Sequence, residues 1–248
     1  MTITEQNCFY PDPYLYFDPA SMGYAREDLW VEGRLHAWFI RPKQEHARTA
    51  TIVNLHGNAE NMTSHILASL FFLEMGHRLV TFDYSGYGQS KGSPTLQGIQ
   101  DDARAMFALV FNDPQRFGAS VFGFGQSMGG FTLARILPDI PMLKGAIMDS
   151  ALYSFHDLFR QAYPGVPCTV PQVSALDTLP LSGVPKLFIH GTADDVVPYA
   201  HSQKMFAVAQ EPKDIMILDG VTHIGALDSP WMSDYVTKIG SFVETWIA

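Results

Sequence analysis

Apolar residues in this chain gather in short runs, at 50–55 (ATIVNL), 78–83 (RLVTFD), 119–124 (ASVFGF), 145–149 (GAIMD), 186–190 (KLFIH) and 214–218 (DIMIL). Runs of this length suit β-strands buried on both faces. Between them the apolar spacing changes to steps of three and four, which predicts helices at about 61–76, 96–111, 127–137, 199–209 and 228–247. The last is the clearest: Met232, Tyr235, Val236, Ile239, Phe242, Val243, Trp246 and Ile247 form one apolar stripe. Ahead of the first run, a Tyr/Pro-rich lead gives way to a hairpin over 29–40 that turns at Glu32-Gly33.

Strand then helix, repeated with short connections, is the pattern of a mostly parallel central sheet flanked on both faces by helices. No internal repeat, low-complexity tract or linker-like stretch interrupts it, so the sequence predicts a single α/β domain over 1–248. Ligands of such sheets bind beyond the carboxyl ends of the strands. Function is therefore expected in the residues just after each strand.

Composition narrows the classes of partner. With 47% hydrophobic and 17% charged residues, 248 positions supply a sizeable core and carry no signature of disorder. The formal charge is −9 and the basic residues are scattered, which argues against a nucleic-acid partner and against adhesion to anionic lipid. Cys8 and Cys168 are too few for a disulfide framework and are expected as free thiols in a reducing cytosol. The opening residues lack the basic-then-apolar order of a signal peptide, and the most apolar helical stretch, 66–73, is about half a bilayer span. A cytoplasmic protein with no stable membrane anchor is the expectation.

Four strand ends carry chemistry. The first run is followed by His56-Gly57-Asn58-Ala59, the third by Gly125-Gln126-Ser127-Met128-Gly129, the fifth by Gly191-Thr192-Ala193-Asp194-Asp195, and the sixth by Asp219-Gly220-Val221-Thr222-His223. A serine hydroxyl is a poor nucleophile near neutral pH. It needs a base for its proton, an acid to hold and charge-balance that base, and amide donors for the developing oxyanion. All four parts are present, in the order Ser…Asp…His. A G-x-S-x-G pentapeptide alone arises by chance in roughly one chain in ten of this length. It could also be a glycine turn that merely packs a helix against a strand. Its place between a buried strand and a helix is what the strained nucleophile turn requires.

These residues resemble those of the α/β-hydrolase superfamily, from about Leu29 to the C-terminus, and within it the branch of monoglyceride lipases, serine aminopeptidase-like proteins and small esterases. The matching pieces are HGNAEN at 56–61, FDYSGYGQSKG at 82–92, GFGQSMGG at 123–130, HGTADDVVP at 190–198 and GVTH at 220–223. The resemblance implies Ser127 as nucleophile, His223 as general base, Asp194 as orienting acid, and the backbone amides of Asn58 and Met128 as oxyanion donors. In the family pattern the acid stands three residues after the glycine and four before the proline. That selects Asp194 over Asp195, while Asp149 is an alternative because some relatives place the acid one strand earlier.

Among the nine histidines, only His223 follows the last strand and precedes the last helix. His56 and His190 precede glycines at strand ends and read as buried organisers of their loops. His36, His46, His65, His77, His156 and His201 have no motif around them. The loop 84–92 lacks the phosphate-loop spacing, since Lys91 precedes a glycine. No HExxH or Cys/His cluster suggests a metal, and the chemistry needs no cofactor.

Residues 151–185 are short for a full cap domain and are expected as a small lid. They contain the amphipathic stretch LYSFHDLFRQAY, whose Leu152, Phe155, Leu158, Phe159 and Tyr163 either line an acyl groove or pack the helix onto the sheet. The expected activity is that of a serine hydrolase acting on a small-molecule carboxylic ester, with thioesters or amides also open, through an acyl-enzyme on Ser127. Acyl transfer to an alcohol or amine would use the same residues. A non-catalytic binding module is the remaining alternative.

Overall fold

The computed structural model describes residues 2–247. Its main sheet has eight strands: β1 (Ala25–Val31), β2 (Leu35–Arg41), β3 (Thr51–Leu55), β4 (Arg78–Phe82), β5 (Val121–Gln126), β6 (Gly145–Asp149), β7 (Lys186–Gly191) and β8 (Lys213–Leu218). They lie in the order β8-β7-β6-β5-β3-β4-β2-β1. β2 runs antiparallel to both β1 and β4, and every other pairing is parallel. The hairpin turns through Glu32 and Gly33, whose φ values of 52° and 65° put both in the left-handed region.

Each buried strand feeds two cores. Along β3, Val53 and Leu55 enter one apolar cluster while Ile52 enters the other. Phe122 and Phe124 of β5 join Ile52, and Val121 points the opposite way. This is the two-residue period of a strand, with both faces dry. Helices α1 (Leu96–Asn112), α2 (Met128–Ile136) and α4 (Ala200–Val208) cover one face, and α5 (Met232–Trp246) covers the other with Tyr235, Ile239 and Val243. A further helix, α3 (Phe155–Ala162), follows β6; Ser154 caps it by accepting from the Asp157 N–H.

Two expected helices are altered. Over 61–76 there are three short pieces, a helical turn at Met62–His65, a 3-10 turn at Ile66–Ser69 and a second helical turn at Phe71–Glu74. Ser69 Oγ donates to the Ile66 carbonyl at 2.9 Å, taking an acceptor that a continuing α-helix would use. The last helix starts at Met232, later than the expected 228, because Ser229 stands before Pro230 in extended conformation. Met232, counted in its apolar stripe, is exposed.

Within 151–185, Leu152 and Phe155 pack into the core, and the Phe155 ring meets Phe131 of α2 with centroids 5.5 Å apart. Leu158 and Phe159 pack partly against it, while Tyr163 is exposed. Cys8 and Cys168 are both free thiols, and burial pushes the Cys8 thiol up to about 12.

The residues ahead of the hairpin are ordered by pairings that no periodicity announces. Tyr10–Pro11 runs parallel to Ala59–Glu60, with the Tyr10 N–H donating to the Asn58 carbonyl at 2.8 Å. Ile3 exchanges hydrogen bonds of 2.8 Å with the Pro167 carbonyl and the Thr169 N–H. One strap therefore touches both the loop after β3 and the segment after α3.

Helix α2 crosses the ends of β3 and β5 at a distance that only glycine permits. A Cβ on Gly129 would lie 1.9 Å from the Leu55 carbonyl oxygen, and one on Gly125 would lie 2.5 Å from the Gly129 carbonyl. These are backbone obstacles and cannot rotate away. Gly129→Ala is expected to lower the unfolding free energy by about 1–3 kcal/mol, read by urea denaturation. Gly183→Ala, where nothing lies within 4 Å of the added carbon, should stay within about 0.5 kcal/mol of the wild type. Equal stability of the two variants would contradict the close approach.

Candidate functional site

The parallel strands end level with one another. Leu55 pairs with Gly125, Gln126 with Asp149, Asp149 with Ile189, and Gly191 with Leu218. The loops that follow β3, β5, β7 and β8 thus leave the sheet from one edge, and they carry Asn58, Ser127, Asp194 and His223.

Ser127 links β5 to α2 with φ 52° and ψ −114°, a conformation that costs a non-glycine residue on the order of 1–3 kcal/mol. Both of its peptide groups are engaged. Its N–H donates to the Asp149 carbonyl at 2.9 Å, and its carbonyl accepts from the Phe131 N–H at 3.1 Å as the first hydrogen bond of α2. The Met128 amide is the next one along, in the first helical turn, where N–H groups have no acceptor within the helix.

His223 Nδ1 lies 2.7 Å from Asp194 Oδ2. The other oxygen, Oδ1, accepts from the Val196 and Val197 N–H groups at 3.0 and 2.8 Å, and Oδ2 also lies 3.1 Å from His190 Nε2. Burial pushes the Asp194 carboxyl up, but the donors from His190, His223 and Val197 outweigh it and hold the group well below the usual carboxylate range. Asp195 is exposed and Asp194 buried, so the turn presents the first of the two aspartates to the histidine.

Asp149 is placed differently. It is sealed beneath the serine by Gln126 Nε2 and the Tyr235 hydroxyl, each at 2.9 Å, with Ser150 Oγ at 3.1 Å, and burial raises its carboxyl above the ordinary value. It supports the turn from below through its carbonyl. Beside it, Ser150 Oγ accepts from the Ile224 N–H at 3.2 Å, tying the His223 loop to the end of β6.

The loop after β3 is pinned by its carbonyls. His56 Nδ1 lies 2.7 Å from the Gly57 oxygen, and the Tyr87 hydroxyl donates to the Asn58 oxygen at 2.8 Å. The Gly57 carbonyl and the Asn58 N–H belong to one peptide plane, so a donor on the first turns the second to the opposite side. His65, read from sequence as a residue without a motif, packs over Gly57; a Cβ there would sit 2.8 Å from its ring. His65 and His223 also line one cleft of about 800 Å³, with Glu60 and Leu67 on its wall. Among the described residues, no group of three or more His, Cys, Asp or Glu is arranged to hold a metal ion.

Beneath this loop lies Asp83. Its carboxylate accepts from the Met62 N–H at 2.8 Å and fits against Gly88, where a Cβ would come within 2.0 Å of Oδ2. His56 Nε2 and His36 Nδ1 face it at 3.8 and 4.0 Å. Burial pushes Asp83 up to about 7 from an ordinary 3.8, and pushes His56 down to about 3. The native state therefore holds the Asp83 proton more tightly than the unfolded chain. Its contribution to stability falls as pH rises from about 4 to about 7 and is level above that. In Asp83→Asn this slope is absent, so the variant's unfolding free energy relative to wild type should rise between pH 5 and 8. Urea denaturation across that range measures it, and a difference independent of pH would refute it.

Comparison with known proteins places the chain. Residues 46–173 match the family model described as serine aminopeptidase, S33. The YfhR protein of Escherichia coli (strain K12) is 31% identical over 246 residues, covering 95% of this chain and 85% of that protein. Alpha/beta hydrolase domain-containing protein 17B of Homo sapiens is 27% identical over 207 residues, covering 78% and 66%. Of solved structures, the esterase Pf2001 of Pyrococcus furiosus overlays with a TM-score of 0.78 at 17% identity, covering 96% of this chain and 100% of that one. Est1E of Butyrivibrio proteoclasticus, in a structure with ferulic acid bound, overlays with a TM-score of 0.73 at 18% identity, covering 89% and 99%. At these identities the two structures speak to fold, and the fold is the one the strand order describes. With the family match spanning half of its length and a relative 31% identical along nearly all of it, the chain belongs to the serine aminopeptidase S33 family of α/β-hydrolases.

Proposed function

We propose that this protein is a serine hydrolase that cleaves carboxylic esters through an acyl-enzyme on Ser127. The observation that carries the reading is the 2.7 Å contact between His223 Nδ1 and a buried, ionised Asp194, made at the strand ends that also present a serine in a strained turn. Family membership supports hydrolysis, and the structural likeness to two proteins named as esterases, Pf2001 and Est1E, favours an ester as the bond cleaved.

With its Nδ1–H committed to Asp194, His223 offers Nε2 as a lone pair. Ser127 Oγ attacks the ester carbonyl carbon while Nε2 takes the hydroxyl proton. The carbonyl π pair moves onto oxygen, where the Met128 and Asn58 amides receive it. Collapse of this intermediate breaks the bond to the leaving alcohol, which departs with the proton from Nε2 and leaves the acyl group on Oγ. Water then gives a proton to the same nitrogen and attacks the acyl carbon. The second collapse releases the carboxylic acid and returns the proton to Oγ. Asp194 stays ionised throughout and keeps the imidazole in the tautomer that can act. Thioesters and amides would follow the same steps, and residues 151–185 form a small lid in this reading.

A fluorophosphonate probe should label the wild-type protein at Ser127, and Ser127→Ala should abolish labelling while remaining folded by circular dichroism. Labelling that survives in the variant would overturn the assignment. On short-chain p-nitrophenyl esters, His223→Ala should lower kcat by on the order of 10³-fold or more, and Asp194→Asn by about 10⁴-fold. Asp195→Asn should retain near-normal turnover. If Asp195→Asn proved as damaging as Asp194→Asn, the orienting acid would be wrongly placed.

A further inference from the structure

His190 makes contacts that a loop organiser does not need. It is fully buried, and its Nε2 faces two acceptors, Asp194 Oδ2 at 3.1 Å and the Val197 carbonyl at 2.8 Å. Nitrogen facing only acceptors carries the hydrogen. The opposite nitrogen, Nδ1, lies 2.7 Å from Ser202 Oγ of α4 and accepts from that hydroxyl. Val197 in turn donates its own N–H to Asp194 Oδ1, so His190, Val197 and Asp194 close a ring of hydrogen bonds around the carboxylate. One oxygen of Asp194 thus serves two imidazoles, His223 from the exposed side at 2.7 Å and His190 from the buried side.

We propose that His190 is a positioning residue for the reaction: by donating Nε2–H to the oxygen that holds His223, it locks the Asp194 side chain in place and draws off part of the negative charge that His223 feels. The inference rests on the reading of Ser127, His223 and Asp194 as one catalytic unit. A carboxylate that gives up electron density to one donor is a weaker acceptor for the next. Removing His190 leaves Asp194 with His223 as its only side-chain donor, which strengthens the hold on a protonated His223. The base then stays protonated to higher pH, and activity is lost sooner on the acid side.

Other charged and titratable groups bear on the same network. Asp149 at the end of β6 and His201 on α4 lie within electrostatic reach of His190, and Lys204 and Asp157 stand beyond them around His201. His65 acts on His223 from across the cleft, and Asp195 adjoins Asp194 on the same turn. All of these remain in a His190 variant, which loses the contacts to Asp194, the Val197 carbonyl and Ser202.

The test compares pH profiles of kcat/KM for wild type, His190→Phe and His190→Gln on a p-nitrophenyl ester. In His190→Phe, which lacks the donor, the acid limb should move up by about half a pH unit to one unit. In His190→Gln, whose amide nitrogen can reach the position of Nε2, it should return toward wild type. An unmoved limb in a folded His190→Phe that still labels with fluorophosphonate would overturn the proposal, as would equal displacement in the two variants. Should His190→Phe fail to fold, nitrogen-15 NMR of the histidines in the wild-type protein decides. His190 in the Nε2–H tautomer is the expected result, and the Nδ1–H tautomer overturns the contact. A wild-type protein that does not label at Ser127 would count against the acyl-enzyme reading instead, and the tautomer measurement tells that failure apart from this one.

Discussion

A helix that starts almost on top of two strand ends is the constraint on which this edge of the molecule depends. Its backbone comes so near Leu55 and Gly125 that positions 125 and 129 admit no side chain. Ser127 takes the resulting strain, while its N–H and carbonyl are both hydrogen-bonded, so the turn has no neighbouring conformation to relax into. The same closeness sets Gly129 against the Leu55 and His56 carbonyls, where the loop after β3 begins.

Three buried aspartates near this edge show how local donors decide the state of a carboxyl group. Asp83 and Asp149 are dominated by loss of water, and both are pushed up. Asp194 also loses water, but two imidazoles and two backbone amides supply more than the burial removes, and it is pushed down. Of the three, the last is hydrogen-bonded to His223, an imidazole that lines the cleft. Environments that drive chemically identical groups apart in this way mark which of them holds charge during a reaction. By that standard Asp149 braces the serine turn from below, and Asp194 faces the histidine.

Much of this was legible in the amino-acid sequence, for a physical reason. Parallel strands buried on both faces leave continuous apolar runs, and the residue after each run marks a loop at the functional edge. Ser127, Asp194 and His223 could be found by that rule, and the structure brings the last two into direct contact. Position 149 satisfies the same rule, and linear spacing does not show that its side chain is enclosed by Gln126 and Tyr235. The role of His65 was hidden because it lies in a stretch whose apolar spacing looks like one helix, and the Ser69 hydroxyl that breaks the helix is a three-dimensional detail. His190 stands four residues before Asp194 in plain view. Nothing in linear spacing says that the loop folds the carboxylate back onto the ring.

The strap formed by residues 3–12 has a mechanical meaning. It is stitched at one point to the backbone of Asn58–Glu60 and at another to that of Pro167–Thr169. A backbone under tension transmits displacement along its length with little stretch, because bond lengths and peptide planes are stiff. The two loops are therefore yoked. If the segment after α3 moves, either its pair of hydrogen bonds to Ile3 breaks or the loop bearing Asn58 is pulled with it, so a single thread of chain couples the positions of the two loops.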